Sequence, residues 1–83
     1  MKHEHRILTR ISNDAPSWKI NLEDRANAFT VWVEDPFRML YCGSCDSLAD
    51  ATSMAHDRST QTEHNLYIVN ARESPPAVIP FRL

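Results

Sequence analysis

Cys42 and Cys45, separated by Gly43 and Ser44, form the one short pattern in this chain whose residue types and spacing could do chemistry. The thiolate is the reactive form of cysteine. A Cys-x-x-Cys placed where a strand hands over to a helix gains a lowered thiol pKa from the helix N-terminus. Here Leu40–Cys45 is followed by Ser47-Leu-Ala-Asp50, a Ser-x-x-acid capping signal, so a helix is expected directly after the motif. The structural alternative makes Cys45 a small buried hydrophobe where a hairpin joins its helix.

Other reactive constellations are weaker. Zinc takes four ligands, and the chain offers Cys42, Cys45, His56, His64, His3 and His5. The spacing of the second half of such a set is unfamiliar, so the histidines are expected at the solvated surface, with no metal and no cofactor. Gly43 is the only glycine. That excludes the glycine-rich loops that cradle phosphates, and with them a nucleophile elbow. No paired carboxylates share a strand, and His56 and Asp57 diverge as helical neighbours. The chain leans away from being an enzyme.

The elements that must position these residues follow from periodicity. His5–Ile11 alternates, with Ile7, Thr9 and Ile11 on one face, which predicts a strand ended by the turn formers of residues 13–17. Residues 17–23 read as a second strand through Trp18, Ile20 and Leu22, although Trp18, Leu22 and Ala26 also fit a helix capped by Asp14. Phe29–Glu34 is the clearest strand, and Asp35-Pro36 turns it into a return strand over Arg38–Cys42. A helix is predicted between Ser47 and Ser59, with a stripe of Leu48, Ala51, Thr52 and Ala55 that lets it lie close to the sheet. Leu66–Asn70 is apolar on both faces, as a central strand is. The tail from Ala77 is an edge strand or packed tail, because Pro80 cannot donate to a ladder. Residues 1–83 are therefore expected to form a single small α+β domain: a mostly antiparallel sheet of four to five strands, one principal helix packed on one face, in the order β-β-β-β-α-β.

Two resemblances attach to these segments. The Cys42-Gly-Ser-Cys45 motif before a capped helix, with the tail segment Val78-Ile-Pro80, resembles the thioredoxin family, whose hydrophobic-Ile-Pro segment faces the dithiol. That resemblance implies a thiol–disulfide protein with Cys42 as the attacking thiol and Cys45 as the resolving one. The strand–helix unit that precedes the motif in that family is missing, as are the strand and helix that follow the Pro. The Thr30–Val33 strand and the hairpin leading to Ser47-Leu-Ala-Asp-Ala51 are similar to the β-hairpin–helix DNA-binding modules of the AP2 and integrase-arm type. This second resemblance implies that Thr30, Trp32 and Glu34, with Arg38, face nucleic acid. The acidic Glu34 and the scarcity of lysine disfavour it.

Composition sets the remaining expectations. The 83 residues carry a net charge of −2 and a pI near 6.0, so nothing draws the chain globally to nucleic acid or anionic membrane. No apolar stretch approaches the roughly 20 residues of a membrane span, and the charged N-terminus lacks a leader-like run. A cytoplasmic protein with reduced thiols is expected. Seven of the nine basic residues are arginine, which forms bidentate contacts and stacks on aromatic rings. With one helix covering one sheet face, the other face should expose Trp32 and Tyr41 with Arg38 beside them, and these residue types dominate interface energetics. The functional expectation is a non-enzymatic protein-binding module, accessory or inhibitory in role. Its partner would be another protein or a second copy in a homodimer.

Overall fold

A computed structural model describes residues 2–14, 28–73 and 76–82. In chain order these form α1 (Lys2–Asp14), β1 (Phe29–Glu34), β2 (Met39–Cys45), α2 (Leu48–Ser59), β3 (Asn65–Asn70) and β4 (Ala77–Arg82). The strands make one antiparallel sheet in the order β2-β1-β3-β4. The α+β class and the four-stranded sheet are those expected from the pattern, and the strand expected over residues 17–23 lies outside the described residues. No helix among the described residues is long and apolar enough to cross a membrane.

Strands β1 and β3 are central, and their apolar residues are buried on both faces. On one face Ile7 and Ile11 of α1 pack with Trp32, Met39, Tyr67, Val69 and Val78. On the other, Ala51 and Ala55 of α2 pack with Phe29, Val31 and Ile68. Ala51 and Ala55 allow the close approach, whereas Leu48 and Thr52, expected on the same stripe, are exposed. Ser47 caps the helix by accepting a hydrogen bond from the Asp50 N–H at 3.2 Å.

Two expectations are corrected here. His5–Ile11 belongs to a helix, not a strand. Ile7 and Ile11 stand four apart, a spacing that satisfies both periods, and Leu8 packs beside them while Thr9 is exposed. Only the helix leaves Thr9 in water. The first helix then covers the sheet face that was expected to be open, so both faces are occupied. The element order among the described residues is accordingly α-β-β-α-β-β.

The β1–β2 register slips between Val31 and Trp32: Val31 pairs with Gly43 and Trp32 with Tyr41, leaving Cys42 as the extra residue of a β-bulge. Cys42 follows Leu40 to the α2 side by alternation and packs, like Cys45 and Met54, against the core there, and the bulge brings Gly43 to that side as well. Gly43 sits beneath the same helix. A Cβ built there would lie 2.8 Å from Sδ at the flexible end of Met54, and the φ of +157° is one that L side chains rarely adopt, so the backbone conformation is what calls for glycine.

Candidate functional site

Strand β2 extends to Cys45, and α2 begins only at Leu48. The dithiol motif therefore lies inside an edge strand instead of at a helix N-terminus. Burial pushes the Cys42 thiol above its usual pKa, and the neighbouring Arg58 only partly offsets this. Burial also raises Cys45, and Asp50 and Asp46 add to the effect. Three residues of extended chain span about 10 Å between Cα atoms, beyond the ~7 Å that a disulfide bridges. Val78 and Pro80 lie on β4, at the opposite edge of the sheet, about 14 Å from β2 at ordinary strand spacing. The Ile-Pro segment consequently does not face the dithiol, and the thioredoxin-like resemblance stops at its sequence fragments.

The hairpin residues separate into a buried anchor and an exposed surface. Trp32 is only 1% exposed, under α1, and its indole N–H donates to Thr30 Oγ1 at 2.8 Å. It is not the surface contact that strand alternation suggested, because α1 covers that face. The Thr30–Trp32–Glu34 face expected of a DNA-binding sheet is covered in the same way. Tyr41 leans on Trp32 with ring centroids 5.3 Å apart, yet remains 55% exposed on the edge strand. Arg38 is exposed in the turn. The residue that pattern reading missed is Phe37, 93% exposed at the tip. Its N–H donates to Asp35 Oδ1 at 2.9 Å, and the Asp35 N–H donates to Arg38 O at 3.1 Å, so the turn that displays it is internally bonded. An aromatic placed directly after Asp-Pro in a two-strand connection was the available signal, since a turn tip offers nothing to bury it.

A polar cluster fastens α1 to the end of β1. The Glu34 carboxylate accepts hydrogen bonds from Arg6, from Arg10 at 3.1 Å, from Asn65 at 3.2 Å and from the Tyr67 hydroxyl at 3.0 Å. Burial alone would raise its pKa. The donation from Arg6, Asn65 and Tyr67 outweighs burial and holds Glu34 at about 2. Arg10 also donates to the Asp35 carbonyl at 2.8 Å, which ties the helix to the start of the turn.

Between β2 and the C-terminal end of α2 lies a cleft of about 360 Å³, with Val33, Leu40 and Cys42 from the sheet and Arg58, Gln61 and His64 from the helix end and the loop after it. His64 Nε2 stands 3.7 Å from Asp35 Oδ2. The loop wall is held from behind by Arg82, whose guanidinium donates to the carbonyls of Ser59 at 2.8 Å and His64 at 3.0 Å, and also to that of Thr62. Among the described residues, no three His, Cys, Asp or Glu side chains converge as metal ligands. The described residues thus form a small α+β fold with an exposed hairpin and a cleft beside it. Comparison with models of known families, with curated proteins and with solved structures returns no match.

Proposed function

We propose that this chain is a non-enzymatic protein-binding module whose contact surface is the β1–β2 hairpin, with Phe37, Arg38 and Tyr41 as its anchors. The observation that carries the reading is Phe37, a phenyl ring 93% exposed on a hydrogen-bonded turn. Burying such a ring in a partner's pocket is worth about 1.5–3 kcal/mol, and the turn is already ordered, so little entropy opposes it. Single exposed hydrophobics are common, but here a half-exposed tyrosine and an exposed arginine share the same hairpin. Trp32 supports this surface from beneath as a positioning residue for Tyr41. Among the described residues no strand pairs with the outer edge of β2, which can take up an added strand from another protein or from a second copy. An accessory or inhibitory role in the cytoplasm, where Cys42 and Cys45 stay reduced, belongs to the same reading.

The test uses tagged protein in lysate treated with nuclease and reductant, and compares wild type with the Phe37→Ser/Tyr41→Ser double variant. A retained partner that binds the purified wild-type chain directly, and is lost with the double variant, supports the assignment. Equal retention by both proteins sinks it. Sedimentation of the two proteins settles whether the partner is a second copy: wild type would then dimerise and the double variant would not.

A further inference from the structure

The cleft between β2 and the end of α2 shares Tyr41 with the hairpin surface but does not include Phe37 at its tip, and its chemistry is specific enough to name a ligand. Its sheet side is apolar, because Val33 and Leu40 pair across the β1–β2 ladder and point toward α2. Its opposite side carries two groups able to be cationic, Arg58 and His64. His64 Nε2 has the Asp35 carboxylate as its partner at 3.7 Å. Arg58 is different. It makes one long bond, 3.4 Å to Gln61 Oε1, and lies against the Cys42 thiol, which stays protonated at neutral pH. Among the described residues no carboxylate stands within ion-pair distance of it. Asp57, its neighbour in sequence, faces a different depression with Phe81. The carbonyls of Ser59, Thr62 and His64 are taken up by Arg82. The Asp57 and Arg58 carbonyls are taken up by the N–H groups of Thr60 and Gln61. One unmatched guanidinium, with its planar two-pronged donor face, thus stands over an apolar floor in a space within the ordinary range of about 300–1,000 Å³ for ligand pockets.

We propose that this cleft binds a small monocarboxylate with an apolar tail, the carboxylate on Arg58 and the tail against Val33 and Leu40. A single unmatched cation balances one negative charge, which favours a carboxylate over the double charge of a phosphate monoester. The floor selects against a bare inorganic anion.

The experiment is an amide-resolved NMR titration of the full chain with phenylacetate, and in parallel with its uncharged isostere phenylacetamide. Saturable shifts confined to residues near Leu40, Arg58 and His64 are expected with phenylacetate, and binding at least about fivefold weaker with the amide. Arg58→Gln should weaken phenylacetate by a similar factor, while Arg58→Lys restores part of the affinity. Because Arg58 is exposed, both variants should keep the wild-type spectrum away from the cleft. The peptide acetyl-Ala-Phe with a free C-terminus distinguishes the source of the carboxylate. Binding about tenfold tighter than phenylacetate assigns the site to a polypeptide C-terminus, and equal or weaker binding assigns it to a free acid. Absence of saturable shifts, equal affinity for acid and amide, or indifference to Arg58→Gln overturns the proposal. None of these outcomes bears on Phe37, so the hairpin reading and the cleft stand or fall separately.

Discussion

Glu34 gathers Arg6, Arg10, Asn65 and Tyr67 around one carboxylate, and the linkage between its ionisation and folding has a definite sign. Its folded pKa of about 2 lies below the usual 4.5, so the folded state binds its proton less readily than the unfolded chain does. The stabilisation is complete above the unfolded value and disappears as pH falls toward the folded one. A shift of this size corresponds to about 2–3 kcal/mol, once solvent screening at the exposed Arg6 is allowed for. Urea midpoints should therefore place Glu34→Gln below wild type by that amount at pH 7, with the gap closing between about pH 4.5 and 2. A gap that persists unchanged at pH 2 would mean the carboxylate is not what these donors hold. Functional residues on the hairpin behave oppositely. Phe37→Ser removes a ring that touches little, so stability should stay within about 0.5 kcal/mol while partner binding is lost. Trp32→Ala removes a fully buried side chain and should destabilise by about 3–5 kcal/mol, so a binding defect in that variant reports unfolding first.

At the scale of elements, α1 distinguishes the two periodicities that His5–Ile11 allows. If Ile11 packs from a helix against Trp32 and Tyr67, Ile11→Ala should lose about 2–5 kcal/mol. Thr9→Glu, on the exposed side, should change stability by less than about 0.5 kcal/mol. A strand would reverse the second result by burying the charge. The segment misleads because seven residues with isoleucines four apart satisfy both templates. The decision belongs to tertiary groups that no local window contains: Arg6 and Arg10 reach Glu34, and the Asp14 carboxylate accepts from the Met39 N–H at 2.6 Å. The β1–β2 hairpin, α2 and β3 were legible because each carries its own punctuation: Asp35-Pro36, the Ser47 cap, and an unbroken apolar run. Pro80 marked β4 as an edge, and it is one. The cleft was not legible, since Leu40, Arg58 and His64 meet only when the sheet order is known. The bulge at Cys42 was hidden for a similar reason, as it is a register slip between strands and not a property of either one. Gly43 is its nearest local sign. Gly43→Ala should cost about 1–2 kcal/mol because a φ of +157° strains any L side chain there, and a paired Met54→Ala should return little of that loss in a double-mutant cycle.

At the scale of the whole molecule, one thin sheet is shared by two small cores, and an edge strand cannot be rebuilt without disturbing both. Met39 of β2 belongs to the core under α1, while Cys42 and Cys45 pack in the core under α2. A Cys42–Cys45 disulfide would need Cα atoms within ~7 Å, whereas an extended strand holds them about 10 Å apart. Closing it would pull β2 out of register with β1, withdraw Met39 from Ile7 and Ile11, and shift the ground beneath Met54 and α2. The free energy of folding should therefore oppose the bond. Native protein incubated with oxidised glutathione is expected to keep both thiols free of each other, counted by mass after maleimide labelling. The same treatment in urea should yield the intramolecular disulfide, because the unfolded loop is short and flexible. Refolding of that oxidised species should recover less sheet signal and a lower midpoint than the reduced chain. A native protein that forms the bond readily, with its circular dichroism unchanged, would place the dithiol outside a strand and put the redox alternative ahead of the binding reading. Resistance to oxidation would instead show that the CGSC segment serves this molecule as a wall. It holds the hairpin that carries Phe37 on one side and the Arg58 cleft on the other.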